Sequence, residues 1–191
     1  MSIASVLIAL WALWLASWLG AALWASRAST RPRLQDEALY RGVSVLGALL
    51  VFWDFGRGDA LGWQLWATPQ LQGWLLVAVA MLGLAFTWWA RLHLGMLWSG
   101  SVTRKVDHRI IESGPYGMVR HPIYTGVLVA LYATALERGS VSALAGVAIM
   151  TLGFVVKARL EERFLGAELG GDLYASYRRR VPMLVPFWRA G

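Results

Sequence analysis

From Met1 to Ser26 the chain carries no charged side chain. That single stretch restricts the fold severely, because roughly 20 apolar residues in a helix cross a bilayer. Several such stretches recur, which indicates a helical integral membrane protein and predicts a helix over Ile3–Ala25. A signal peptide is the competing reading, but the segment lacks a basic start and is longer than a typical signal core. It is therefore expected to be a retained span.

The same pattern returns along the chain. Gly73–Ala90 and Gly139–Val156 are uncharged and long, whereas Gly42–Trp53 and Ile123–Leu136 are shorter. Gly42–Trp53 crosses only if Leu39, Tyr40 and the residues after Asp54 extend it and Arg41 snorkels. The expected fold is all-α, a polytopic membrane protein of five transmembrane helices. Its spans fall near 3–25, 39–56, 73–92, 122–136 and 139–158, in one integral membrane domain over 1–191. The tight "ERG" turn at Glu137–Gly139 predicts that the last two spans form an antiparallel hairpin. Composition agrees: 58% of residues are hydrophobic and 15% charged. Twelve tryptophans also fit, since indole favours the membrane–water boundary.

No cysteine is present, which excludes disulfides, thiolate nucleophiles and cysteine-based metal sites. His93, His108 and His121 lack acidic partners at ligand spacing, so no metal site is expected. The net charge of +7 lies in short segments between apolar runs. That suits topology and anionic headgroups better than nucleic acid. Arg27, Arg31 and Arg33 follow the first span, and Arg91, Arg104, Lys105, Arg109 and Arg120 lie between the third and fourth. Lys157, Arg159, Arg163, Arg178, Arg179, Arg180 and Arg189 follow the fifth, while the opposite side holds Arg57 and Arg138. The positive-inside rule puts the C-terminus in the cytoplasm and the N-terminus outside. The segments 91–121 and 159–191 then share the cytosolic face.

The hairpin mouth carries the chemistry. In "SGPYGMVRHPIYTG" Pro122 suits the first turn of a helix and biases His121 away from helical geometry. Arg120 and His121 thus form a corner, beyond which a helix N-terminus offers unpaired amides to an anion. Gly114, Pro115 and Gly117 allow a tight loop and close backbone approach. The competing reading gives Arg120 a lipid phosphate and makes His121 a cap. In "KARLEERFL" Lys157 can bridge to Glu161 and Arg159 to Glu162 along the helix surface. Glu162 differs if it faces the hairpin mouth, where it suits an ammonium, a sulfonium or ribose hydroxyls. "LGMLWSG" is read as a loop with an interfacial tryptophan, and "SYRRRVP" as a headgroup-binding cluster.

Four segments in order, "LGMLWSGSV", "DHRIIESGPYGMVRHPIYTG", "ARLEERFL" and "LYASYRRRVPMLVPF", resemble the isoprenylcysteine carboxyl methyltransferase family and its bacterial relatives. Together with the spans they cover about the last hundred residues; the first two spans carry no family signature. The resemblance implies S-adenosyl-L-methionine as cofactor, in a cytosolic pocket closed by the C-terminal segment. It implies cofactor contacts at Ser113, Gly114, Tyr116, Val119, His121, Tyr124, Glu161 and Glu162. Arg120 and Glu162 are the implied catalytic pair, with Arg120 orienting the acceptor or the cofactor carboxylate. Trp98 and Ser99 would border the acceptor, and Tyr174 and Tyr177 the lid. "ELGGDLYASY" carries one glycine more than the family's usual spacing, which leaves the fit of those two tyrosines open.

The expected reaction is methyl transfer to a lipophilic acceptor, foremost a carboxylate of the isoprenylcysteine type, in a prokaryotic inner membrane rich in anionic headgroups. A phospholipid amine or a small thiol are alternatives on the same cofactor site. A nicotinamide-dependent membrane reductase and a small transporter are the competing classes. No extra basic cluster serves a 2′-phosphate, and the long spans hold no midplane ionisable group.

Overall fold

The computed structural model describes residues 1–23, 34–53, 64–95, 111–168 and 171–188. Every regular element among them is helical: α1 (Ile3–Ala22), α2 (Leu34–Phe52), α3 (Gln70–Leu94), α4 (Pro115–Met118), α5 (Pro122–Arg138), α6 (Val141–Glu168) and α7 (Gly171–Arg180). Three of these, α1, α3 and α6, are long and apolar enough to cross a membrane; α2 adds a shorter apolar stretch, Tyr40–Phe52. Large apolar side chains such as Leu13, Leu75, Leu82 and Leu152 are at least 60% exposed. An aqueous surface does not tolerate that many, and a bilayer does. The protein is an integral membrane protein.

α2 begins at Leu34, before the expected Leu39, and α6 runs ten residues past Ala158. The hairpin forms where "ERG" places it. Gly139 ends α5 in the left-handed conformation (φ 59°) and donates its amide to the Ala135 carbonyl. The segment before α3 seals that turn. Leu65 N–H donates to Gly139 O at 2.7 Å, and the Trp66 indole and Thr68 hydroxyl donate to the last carbonyls of α5.

α3 packs along α5, and α2 along α6. Glycines let both pairs approach backbone to backbone, as small residues do in membranes. A Cβ on Gly126 would lie 2.5 Å from the Gly83 carbonyl oxygen, and one on Gly47 would lie 2.8 Å from that of Gly146. Gly126→Val should therefore force α3 and α5 apart and lower the melting temperature in detergent by about 5–10 °C. Gly42→Ala, with nothing within 4 Å, should leave it unchanged.

α1 is held by its tryptophans. The Trp14 indole donates to Thr87 Oγ1 of α3 at 2.8 Å, and the Trp11 indole to Thr134 Oγ1 of α5 at 3.0 Å. These two rings sit mid-helix against the bundle, a correction to the expectation that indoles gather at the boundary. A threonine hydroxyl already bonded to its own helix offers a lone pair that lipid cannot supply. Arg91, read from sequence only as a topological charge, is buried at the end of α3. It donates to the Gly95 and Ala21 carbonyls, tying the C-terminal ends of α3 and α1 together.

Candidate cofactor and methyl-transfer site

The corner before α5 is built as its residue types dictate. His121 takes non-helical dihedrals (φ −123°, ψ 63°) ahead of Pro122, and Gly114 takes φ 56° with ψ −132°, which only glycine adopts easily. Because α6 returns antiparallel to α5, its last turns pass this corner. Arg120 Nε lies 2.7 Å from Glu162 Oε1, though the residues are 42 apart in sequence. His121 stands between two carboxylates, with Nε2 at 3.1 Å from Glu162 Oε1 and Nδ1 at 3.4 Å from Glu161 Oε2. The Tyr124 hydroxyl donates to Glu161 Oε1 at 2.6 Å. Arg178 of α7 completes the set, its Nε 3.3 Å from Glu162 Oε2.

The surface pairing expected of Glu162 with Arg159 on α6 is thus corrected, while Glu161 keeps the neighbouring charge of Lys157 and adds His121 and Tyr124. Glu162 is 5% exposed and turns to Arg120, His121 and Arg178, not to Arg159. A carboxylate gains more from an arginine fork and an imidazole behind the hairpin than from one solvated neighbour.

The C-terminal chain closes the corner from the other side. Arg120 N–H donates to Pro182 O at 2.8 Å, and His121 N–H to Met183 O at 3.1 Å. The Thr125 hydroxyl donates to Leu184 O at 2.7 Å. Arg120 Nη1 donates to the Arg178 and Val181 carbonyls, where a cation suits the end of α7. The amides of Arg120 and His121 themselves are thus taken by the strap of residues 181–184. Tyr174 and Tyr177 are both buried, and the Tyr177 hydroxyl donates to Tyr116 O at 2.8 Å. On α7, which starts at Gly171, Tyr174 and Tyr177 pack with Val181 and Leu165.

Ser113, Gly114, Tyr116 and Val119 lie on the loop and single turn below. The Ser113 hydroxyl is 2.9 Å from His93 Nε2, and the His93 ring stacks on Tyr116 at 6.4 Å. Trp98, Ser99 and His108 lie outside the described residues. Sequence reading missed three contributors: Arg178, hidden in a basic triplet; Thr125, one turn into α5; and His93. A helical count from Tyr174 through Tyr177 to Arg178 carries the signal for the first, because those positions share a face.

Burial disfavours charge on His121, but Glu161 and Glu162 outweigh it and raise the imidazole above its usual 6.5. Burial likewise opposes Glu162, yet hydrogen bonds from His121 and Arg120 hold it at about 2, below the usual 4.5. A raised histidine stabilises the fold fully below 6.5, and that contribution fades as pH climbs through the raised value. A depressed carboxylate contributes above 4.5 and loses its contribution as pH falls towards 2. Melting temperature in detergent should accordingly be highest between about 5 and 6.5 and decline on both sides. His121→Asn should remove the alkaline decline.

This constellation sits in the part of the chain with the clearest relatives. Residues 75–167, from α3 to the end of the Glu-Glu helix, match the Isoprenylcysteine carboxyl methyltransferase (ICMT) family. That segment belongs to this family. Methanethiol S-methyltransferase 2 of Bradyrhizobium diazoefficiens is 34% identical over 178 residues, covering 81% of this chain and 61% of that protein. Methanethiol S-methyltransferase of Crocosphaera subtropica is 27% identical over 82% of this chain and 63% of its own length. Protein-S-isoprenylcysteine O-methyltransferase B of Arabidopsis thaliana is 31% identical over 45% of this chain and 44% of its own. The chain spans about three fifths of the length of the two methanethiol enzymes. Within the ICMT family match lie Arg120, His121, Tyr124, Glu161 and Glu162, while α7 and the strap lie beyond it.

Proposed function

We propose that the protein transfers a methyl group from S-adenosylmethionine to a lipophilic acceptor at the cytoplasmic face of a prokaryotic inner membrane. All five long helices cross in this reading, with the N-terminus outside. One observation carries it: Arg120, His121, Tyr124, Glu161 and Glu162 converge from two distant segments into one polar cluster under the strap.

The donor set fits the cofactor's charges. Buried carboxylates at Glu161 and Glu162 suit an ammonium or ribose hydroxyls, and Arg120 and Arg178 suit a carboxylate. Tyr116, with the backbone of Ser113 and Gly114, would take the adenosine side, and Tyr174 and Tyr177 would cover it. When bound, S-adenosylmethionine supplies a methyl group on a sulfonium sulfur. The protein's own work is positioning and exclusion of water. Arg120 holds Glu162 and the strap together, and His121 fixes both carboxylates. Trp98 and Ser99 would border the acceptor.

A small thiol is the acceptor best supported. Relatives named for methanethiol match four fifths of the chain, whereas the Arabidopsis isoprenylcysteine enzyme matches under half. An isoprenylcysteine-type carboxylate is the second reading, favoured by the family match itself. Purified protein given methyl-labelled cofactor with ethanethiol, with N-acetyl-S-farnesylcysteine and with lipid vesicles separates the acceptors. Label is expected in the thioether. Label in the vesicles alone would make the acceptor a phospholipid, and label nowhere would remove the reaction.

A further inference from the structure

One side chain at the apolar edge of the cluster, Lys157, neighbours Glu161 and reaches over two aromatic rings. Phe154, Lys157 and Glu161 fall at positions i, i+3 and i+7 of α6, on one helix face. That face descends from the polar cluster into the apolar part of the bundle. The rings beside it continue the descent: His121 stacks on Tyr124 at 5.4 Å, and Tyr124 on Phe154 at 5.0 Å. Lys157 sits midway. Its ammonium lies 5.1 Å from the Tyr124 ring centre on α5 and 5.4 Å from the Tyr40 ring centre on α2. Tyr40 is itself buried, at 4% exposure.

An interfacial lysine serving only headgroups would point out to the leaflet, as exposed Arg159 does two residues on. Lys157 instead turns between two helices, half-buried over aromatic faces. A cation held there lies on the membrane side of Glu161, where a lipophilic molecule arriving from the bilayer meets the first polar group.

Resting on the methyl-transfer reading above, we infer that Lys157, framed by Tyr40, Tyr124 and Phe154, binds the acceptor as an anion, a thiolate or a carboxylate. A neutral amine has no use for an ammonium at that place, so phospholipid amines are poor acceptors. Thiol acceptors lose their proton to water before they bind, and the nearby ammonium favours the thiolate. The acceptor's sulfur or oxygen lone pair then forms the new bond to the methyl carbon. The bond from that carbon to the sulfonium sulfur breaks, and its electron pair stays on that sulfur as a thioether.

The test uses full-length protein in nanodiscs, with ethanethiol in one arm and N-acetyl-S-farnesylcysteine in the other. S-adenosylhomocysteine affinity is measured alongside by calorimetry. Lys157→Met should raise the KM of whichever acceptor is used by about ten- to a hundredfold, the worth of a charge-assisted contact. The affinity for S-adenosylhomocysteine should stay unchanged, which also shows that the variant folds. Lys157→Arg should restore the KM. An unchanged acceptor KM in Lys157→Met, with cofactor-product binding intact, overturns the acceptor role and leaves the cofactor reading standing. A loss of product affinity in step with KM would make Lys157 part of the cofactor site and equally overturn it. Failure of the unmodified protein to bind S-adenosylhomocysteine would remove both.

Discussion

Arg120→Ala should free the C-terminal segment from the body of the protein. The guanidinium joins three parts at once: Glu162 on α6, the Arg178 carbonyl at the end of α7 and the Val181 carbonyl of the strap. Removing it strands Glu162 behind the hairpin with one strong partner fewer, and breaking a buried ion pair costs about 3–5 kcal/mol. Tryptic cleavage in the triplet Arg178–Arg180 should accelerate sharply, and the melting temperature should drop by about 10 °C. Arg120→Lys should recover little, because an ammonium cannot span Nε and Nη1 partners in two directions. Unchanged cleavage in Arg120→Ala would show that the strap's backbone bonds and the Thr125 hydroxyl suffice to hold it.

Glu162→Ala should be the most damaging change at the opposite side of the cluster. Without that carboxylate, Arg120, Arg178 and His121 face one another with Glu161 as the sole remaining anion of the Glu-Glu pair. Repulsion should push His121 back towards its neutral form, so the alkaline decline in melting temperature moves to lower pH. Methyl transfer should fall by more than about a hundredfold, since both the positioning of Arg120 and a cofactor contact are lost. Glu162→Gln separates the two contributions. It keeps a hydrogen-bond acceptor for Arg120 but drops the charge, and should retain the fold better than it retains activity. Activity of Glu162→Ala near that of the unmodified protein would contradict a site at this cluster.

What could be read in the sequence divides along a physical line. Long-range placement was legible wherever chain reversal is local. "ERG" fixes the α5–α6 hairpin through Gly139, and an antiparallel return then brings Glu162 to Arg120 whatever the rest does. The rotation of α6 was less legible. Lys157, Arg159, Glu161 and Glu162 permit good pairs along the helix, and the rotation that turns Glu162 inward follows from packing such as that of buried Ala158 and partly buried Phe154. Composition could not show the strap at all. Pro182, Met183 and Leu184 act through their main-chain carbonyls, which every residue carries. The inward tryptophans were hidden similarly, because the reason for Trp14 to leave the boundary is Thr87, 73 residues away. The glycine pairs Gly83–Gly126 and Gly47–Gly146 become partners only once the helices are aligned.

The most direct measurement is calorimetric titration of S-adenosylhomocysteine into the purified protein and its His121→Ala variant. A single convergence of Arg120, His121 and the two glutamates requires saturable binding of one ligand per chain to the first, and binding weakened by about a hundredfold or more to the second. A flat titration of the unmodified protein, or equal affinities for the two, would place any cofactor somewhere other than the mouth of the α5–α6 hairpin.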